Sequence, residues 1–250
     1  MNIHLTIRKW LIFVNLIRIH RNYLLNKICI IVVSIVLFLS FFANLLCIIS
    51  INREYNWFEG INAYHHYIDN IVLFFKLVMI NLICYLWGSA FNKDADSYHL
   101  LINGFKNIKF KYLFTKLLVL LIVTFLIIIV NVLFFSFLGV ICSNWYFFHK
   151  IIVKLFVVMY LIGIIYGIMS AVFSTLINSN YVYLLSSGLF VLGEFLSESN
   201  FSFCKFYFVF CPSLYEIDYG FTFFSIFHLL ILSLFYLVLI TIIYMKNAKY

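Results

Sequence analysis

Long uncharged runs separated by short polar breaks set the pattern of this chain. Cys29 to Asn52 holds no charge, and roughly 20 apolar residues suffice to carry a helix across about 30 Å of hydrocarbon. Asn70 to Phe91 repeats the pattern with one interruption, Lys76, and Tyr112 to Val140 is uncharged after Lys116. From Leu155 to Gly193 no charge appears, a stretch too long for one crossing and suited to two; its polar cluster Asn178-Ser179-Asn180 marks the turn. Phe221 to Tyr244 completes the series. The pattern predicts an all-α polytopic membrane protein of one domain, with six transmembrane helices at about 29–52, 70–91, 112–140, 151–177, 181–196 and 221–244.

The breaks carry their own periodicities. In Met1 to Lys27 the polar residues His4, Arg8, Asn15, Arg18 and Asn22 recur at helical steps among Leu5, Trp10, Phe13 and Leu16. This predicts an amphipathic helix over 1–27 lying along the membrane interface, rather than a cleaved signal. Phe91 to Lys116 has an acidic start (Asp94, Asp96) and a basic end (Lys106, Lys109, Lys111, Lys116). Between them Tyr98, Leu101, Ile102 and Phe105 stand at i, i+3, i+4 and i+7, one face of a short helix over 94–105. Periodicity alone fits equally a helix that docks into a groove on a soluble subunit and one that lies on lipid headgroups.

Composition agrees with the pattern: 66% of residues are hydrophobic, 10% are charged and the mean hydropathy is +1.09. A soluble domain has closer to a quarter of its residues charged. The net charge of +8 is explained by topology rather than by nucleic acid. With the N-terminus inside, the inner segments hold Arg8, Lys9, Arg18, Arg21, Lys27, Lys93, Lys106, Lys109, Lys111, Lys116, Lys246 and Lys249, and the outer ones only Arg53, Lys150 and Lys205. The bias predicts a plasma-membrane protein with both termini cytoplasmic.

Few residues suggest chemistry. No Walker A sequence is present, so ATP cannot be bound by that device, and HExxH and GxSxG are also absent. The adjacent pair His65–His66 points its rings apart and reads as interfacial, so no metal site is expected. Cys29, Cys47 and Cys84 fall in apolar runs, while Cys204 and Cys211 share one outer segment whose spacing leaves a disulfide and two free thiols both open. Lys76, Lys154 and Glu194 lie at outer-leaflet depth, where an isolated charge costs several kcal/mol. Either they line a candidate pathway, with Glu194 pairing one of the lysines, or the lysines snorkel to the outer headgroups.

The order of parts resembles the permease subunit of ABC-2 type transporters, in particular the small bacterial permeases of peptide, bacteriocin-immunity and drug exporters. The similarity rests on Phe91 and Asp94 in F-x-x-D, on Leu100-Leu101, and on Lys111 to Leu118 (K-Y-x-x-x-K-L-L). Asp94 stands where the family usually has Glu, and the loop lacks the proline common there. The resemblance implies that 94–105 is a coupling helix, with Asp94, Asp96, Tyr98, Leu101, Ile102 and Phe105 contacting a separate ATPase. It implies two copies of that ATPase carrying ATP and Mg, a second permease copy or homologue, and no cofactor or catalytic residue in this chain. It also implies that the aromatic outer segment within 197–220 is re-entrant. The cargo expected is an amphipathic peptide or hydrophobic drug, exported from the cell or membrane. The alternatives are a partner-free channel or structural membrane protein and, with less support from its few charges, a membrane-embedded enzyme.

Overall fold

The computed structural model describes residues 14–15, 27–54, 60–92, 109–143, 149–177, 181–197 and 223–247. Apolar runs of Ile, Leu, Phe and Val become helices because hydrocarbon offers backbone N–H and C=O groups no partner except one another. Helix α1 is Lys27–Glu54. Helix α2 has three consecutive pieces: Gly60–Phe74, a π-helical Phe75–Met79 and Ile80–Ala90. Helix α3 is Lys109–Ser143, α4 His149–Leu176, α5 Tyr183–Ser197 and α6 Phe223–Asn247. No strand occurs among the described residues.

Five of these helices, all but α5, are long and apolar enough to cross a membrane. Helix α5 has 15 residues, or about 22 Å of rise, against about 30 Å of hydrocarbon. The six-span expectation thus stands at five helices of membrane length and one shorter apolar helix. The charge-free run from Leu155 to Gly193 is long enough for two crossings in total, but α4 takes most of it. Helix α2 begins at Gly60, well before the span limit near Asn70, because a helix continues past the hydrocarbon through Asn62, His65 and His66.

Contacts fix the direction of each helix. Ser170 reaches Cys84 and Ser174 reaches Gly88, so α4 runs parallel to α2. Trp87 meets Thr124 and Tyr67 meets the Phe135 carbonyl, so α3 runs antiparallel to α2. Helix α1 pairs with α3 through Ser40 and Asn131 and through the Phe41 and Phe134 rings. Tyr183 packs on Tyr85 while Glu194 meets Lys76, so α5 is antiparallel to α2. Tyr244 touches Phe91, which sets the end of α6 beside the end of α2. The chain zigzags through the bundle. We call the end that holds Phe91 and Lys109 the near end, and the opposite one the far end.

Helix α4 is the centre, with 83% of its span buried, against 11% for α1. It packs on α2, α3, α5 and α6. Gly163 and Gly167 lie on its face toward α2, and small residues let helix backbones approach where lipid supplies no hydrophobic drive. A Cβ on Gly167 would stand 2.7 Å from Trp87 Cδ1, and one on Gly163 3.1 Å from Ile83 Cδ1. The exposed side chains of α1 and α6, such as Phe38, Leu39, Leu234 and Val238, form an apolar outer surface suited to lipid.

Several expectations lie outside the described residues: the helix over 94–105, the segment beyond residue 197 with Cys204 and Cys211, and most of the helix over 1–27. Of that last helix Val14 and Asn15 are described, and both are helical and exposed.

Candidate functional site

Charged side chains drawn into the bundle stand at two levels. At the near end, Lys116 is only 2% exposed on the second turn of α3. Its Nζ lies 4.3 Å from the centre of the Phe91 ring, 5.6 Å from Tyr112 and 5.9 Å from Tyr244. Tyr112 is one helical turn before Lys116, which places its ring on the same face. Phe91 closes α2 as its C-cap, and its backbone N–H donates to Trp87 O and Gly88 O. The negative ring faces attract the ammonium, more strongly where water is excluded. One lysine therefore draws together the end of α2, the start of α3 and the last turns of α6. Phe91 and Tyr112 flank in sequence the segment that carries the 94–105 pattern, and both are held at this cluster.

At mid-depth, Lys76 Nζ is 2.5 Å from Glu194 Oε2. Lys76 belongs to the π-helical turn of α2 and Glu194 to the later half of α5. The α2 span begins at Tyr67, which puts Lys76 about 13 Å along the helix from that edge. The two side chains retain 25% and 13% exposure, so the pair is not sealed. A π-turn inserts a residue into the helical register and occurs often at functional sites. Here Phe75 and Met79 stay buried on either side while Lys76 faces α5.

Between the two levels, hydroxyls tie α2 to α4 and to α3. Ser170 Oγ donates to Cys84 O at 2.7 Å, Ser174 Oγ to Gly88 O at 2.8 Å, and Trp87 Nε1 to Thr124 Oγ1 at 2.9 Å. A cavity of about 270 Å³ opens toward the near end between α2, α4 and α5, lined by Tyr85, Gly88, Ser89, Asn92, Ser174 and Tyr183 with Val182. Its walls are uncharged and hydrogen-bonding. It shares the α2–α5 seam with the ion pair.

Of the residues singled out by sequence, the structure brings Lys76 and Glu194 together, while Lys154 is exposed on α4. Asp94, Asp96, Tyr98, Leu101, Ile102 and Phe105 lie outside the described residues. The Lys116 cluster escaped sequence reading, which counted that lysine among the charges of the near-end segment; the available signal was Tyr112 four residues before it, while Phe91 and Tyr244 are distant in sequence. Among the described residues no three His, Cys, Asp or Glu side chains gather as a metal site would need. Comparison with family models, curated proteins and solved structures finds no match for the chain.

Proposed function

We propose that the chain is the membrane-spanning subunit of an ATP-driven exporter of the ABC-2 type, with six helices crossing the plasma membrane and both termini cytoplasmic. The subunit works with a second permease copy or homologue, and two copies of a separate ATPase bind and hydrolyse Mg-ATP. The cargo is an amphipathic peptide or a hydrophobic drug taken from the inner leaflet or the membrane.

The observation that carries this reading is the clamp around Lys116. A segment that receives force from a soluble motor must be tied to the helices it moves, or the displacement is lost in the loop. Phe91 and Tyr112 flank the 94–105 segment, and both meet Lys116 together with Tyr244 of α6. ATPase closure pressing on 94–105 would thus act on α2, α3 and α6 at once and shift the balance between closed and open arrangements.

The experiment replaces Leu101 and Ile102 by Asp, which puts charge into the apolar pattern of the 94–105 segment. An ATP-hydrolysing subunit, identified by mass spectrometry and by activity, is expected to co-purify with the native chain. The double variant should lose at least about tenfold of it, since charge in an apolar groove costs on the order of 2 kcal/mol or more per contact. Membrane insertion should persist. An unchanged yield of ATPase with the variant, or none with the native chain, would overturn the reading.

A further inference from the structure

The pair of Lys76 and Glu194 sits where charge is expensive and yet remains within reach. Lys76 stands about 13 Å along α2 from the far edge of its span, and Glu194 meets it from α5. Alone in hydrocarbon, either ion costs several kcal/mol. The pair therefore opens readily only when another charge takes the place of the partner that leaves. Its partial exposure means that such a charge can approach.

The two partners differ in what they can do once parted. Lysine has a four-carbon stem that lets its ammonium climb toward the membrane surface while the stem stays in apolar surroundings. Glutamate has half that reach and is held in the later half of α5, a helix too short to carry it far. Lys76 can withdraw toward the far surface, whereas Glu194 must stay and be neutralised in place. The asymmetry favours an incoming cation over an incoming anion. The π-turn adds to it, because Lys76 rides on a helical segment of irregular register rather than on a rigid α-helical turn.

We propose that Glu194 is a cation-exchange site at membrane depth, where a lipophilic cation, an ammonium or phosphonium on an apolar body, displaces Lys76 from the carboxylate. No bond forms or breaks; one ion pair is exchanged for another. This rests on the transport reading and deepens it by giving the cargo a positive charge. The uncharged cavity toward the near end of the same α2–α5 seam suits the hydrogen-bonding remainder of such a molecule.

The test uses the purified full chain in lipid nanodiscs without any ATPase, so that its outcome is independent of partner binding. Tetraphenylphosphonium is the probe, and tetraphenylborate, alike in shape and opposite in charge, is the control. Glu194→Gln is expected to weaken phosphonium binding at least tenfold. Lys76→Met removes the internal competitor and is expected to strengthen it several-fold. Tetraphenylborate binding should not depend on Glu194. Equal weakening by both substitutions marks a merely structural pair and overturns the proposal, as does phosphonium binding that ignores Glu194→Gln.

A second measurement needs no substitution. Dicyclohexylcarbodiimide labelling of Glu194 in the native chain, followed by peptide mass spectrometry, should be slowed by tetraphenylphosphonium and unaffected by tetraphenylborate. Labelling at the same rate with and without the phosphonium overturns the site. A native chain that binds no phosphonium yet co-purifies with the ATPase would refute this inference and leave the transport reading standing; a native chain that binds phosphonium through Glu194 but brings down no ATPase would do the opposite.

Discussion

A methyl group added to Gly167 has nowhere to go. It would stand 2.7–2.8 Å from three atoms of the Trp87 ring, which is fully buried and held by its hydrogen bond to Thr124. Overpacking of this kind costs about 1–3 kcal/mol, because the ring cannot swing aside without breaking that bond. Gly167→Ala should therefore lower the unfolding temperature of the detergent-solubilised chain by several degrees. Gly188 on α5 has nothing within 4 Å of the corresponding position. Gly188→Ala should be neutral or stabilising, by up to about 1 kcal/mol, since alanine restricts the unfolded chain and favours the helix. The two glycines are alike in sequence, each inside an apolar run. If Gly188→Ala destabilised as much as Gly167→Ala, the close approach of α2 and α4 at Trp87 would not be the reason for glycine at 167.

At the scale of elements, the near-end cluster makes a prediction about three helices at once. Phe91→Ala removes the ring nearest to Lys116 Nζ and leaves both a cavity and a less well compensated ammonium among apolar groups. The expected cost is about 3–5 kcal/mol, read from thermal unfolding of the purified chain. In a Lys116→Met background the same change should cost less by about 1–2 kcal/mol, because only the packing of the ring is then lost and not its hold on the charge. Equal costs in both backgrounds would show that the cluster is packing alone. The cluster also marks where reading the sequence stops. Charges inside apolar runs stand out against their neighbours, so Lys76, Lys154 and Glu194 were visible as candidates. Which lysine Glu194 meets depends on the arrangement of α2, α4 and α5, and the sequence left that open. Lys116 was hidden because it follows Lys109 and Lys111 at the edge of a run. Its burial comes from Phe91 and Tyr244, which only the folded bundle brings to it. The π-turn at Phe75–Met79 has no sequence signature of its own; buried positions continue across it at a spacing of four.

For the whole molecule, the apolar runs gave away the helices and their order, since hydrocarbon-length stretches without charge have one stable form in a membrane. They did not reveal the short reach of α5, because a charge-free run says how much chain is apolar and not where one helix yields to the next. This matters for sidedness. Five crossings would set the start of α1 and the end of α6 on opposite surfaces, and six would set them on one. The contacts carry α5 from the near end, where Tyr183 packs on Tyr85, to the level of Lys76 at Glu194, and they bring Tyr244 of α6 to the near end at Phe91. Exposed positions near the helix ends allow a direct check in a chain whose six native cysteines are replaced by alanine. Single cysteines at Ile30, Phe110 and Met245 should react with a membrane-impermeant maleimide from one side of sealed vesicles. Those at Ile141 and Val153 should react from the other. On the orientation expected from the lysine and arginine bias, the first group labels from the cytoplasmic side. Cysteines at Ile30 and Met245 that label from opposite sides would mean that α5 does not complete a crossing. The 94–105 segment, which precedes Phe110 closely in the chain, would lose its proposed place beside a cytoplasmic ATPase if Phe110 labelled from outside.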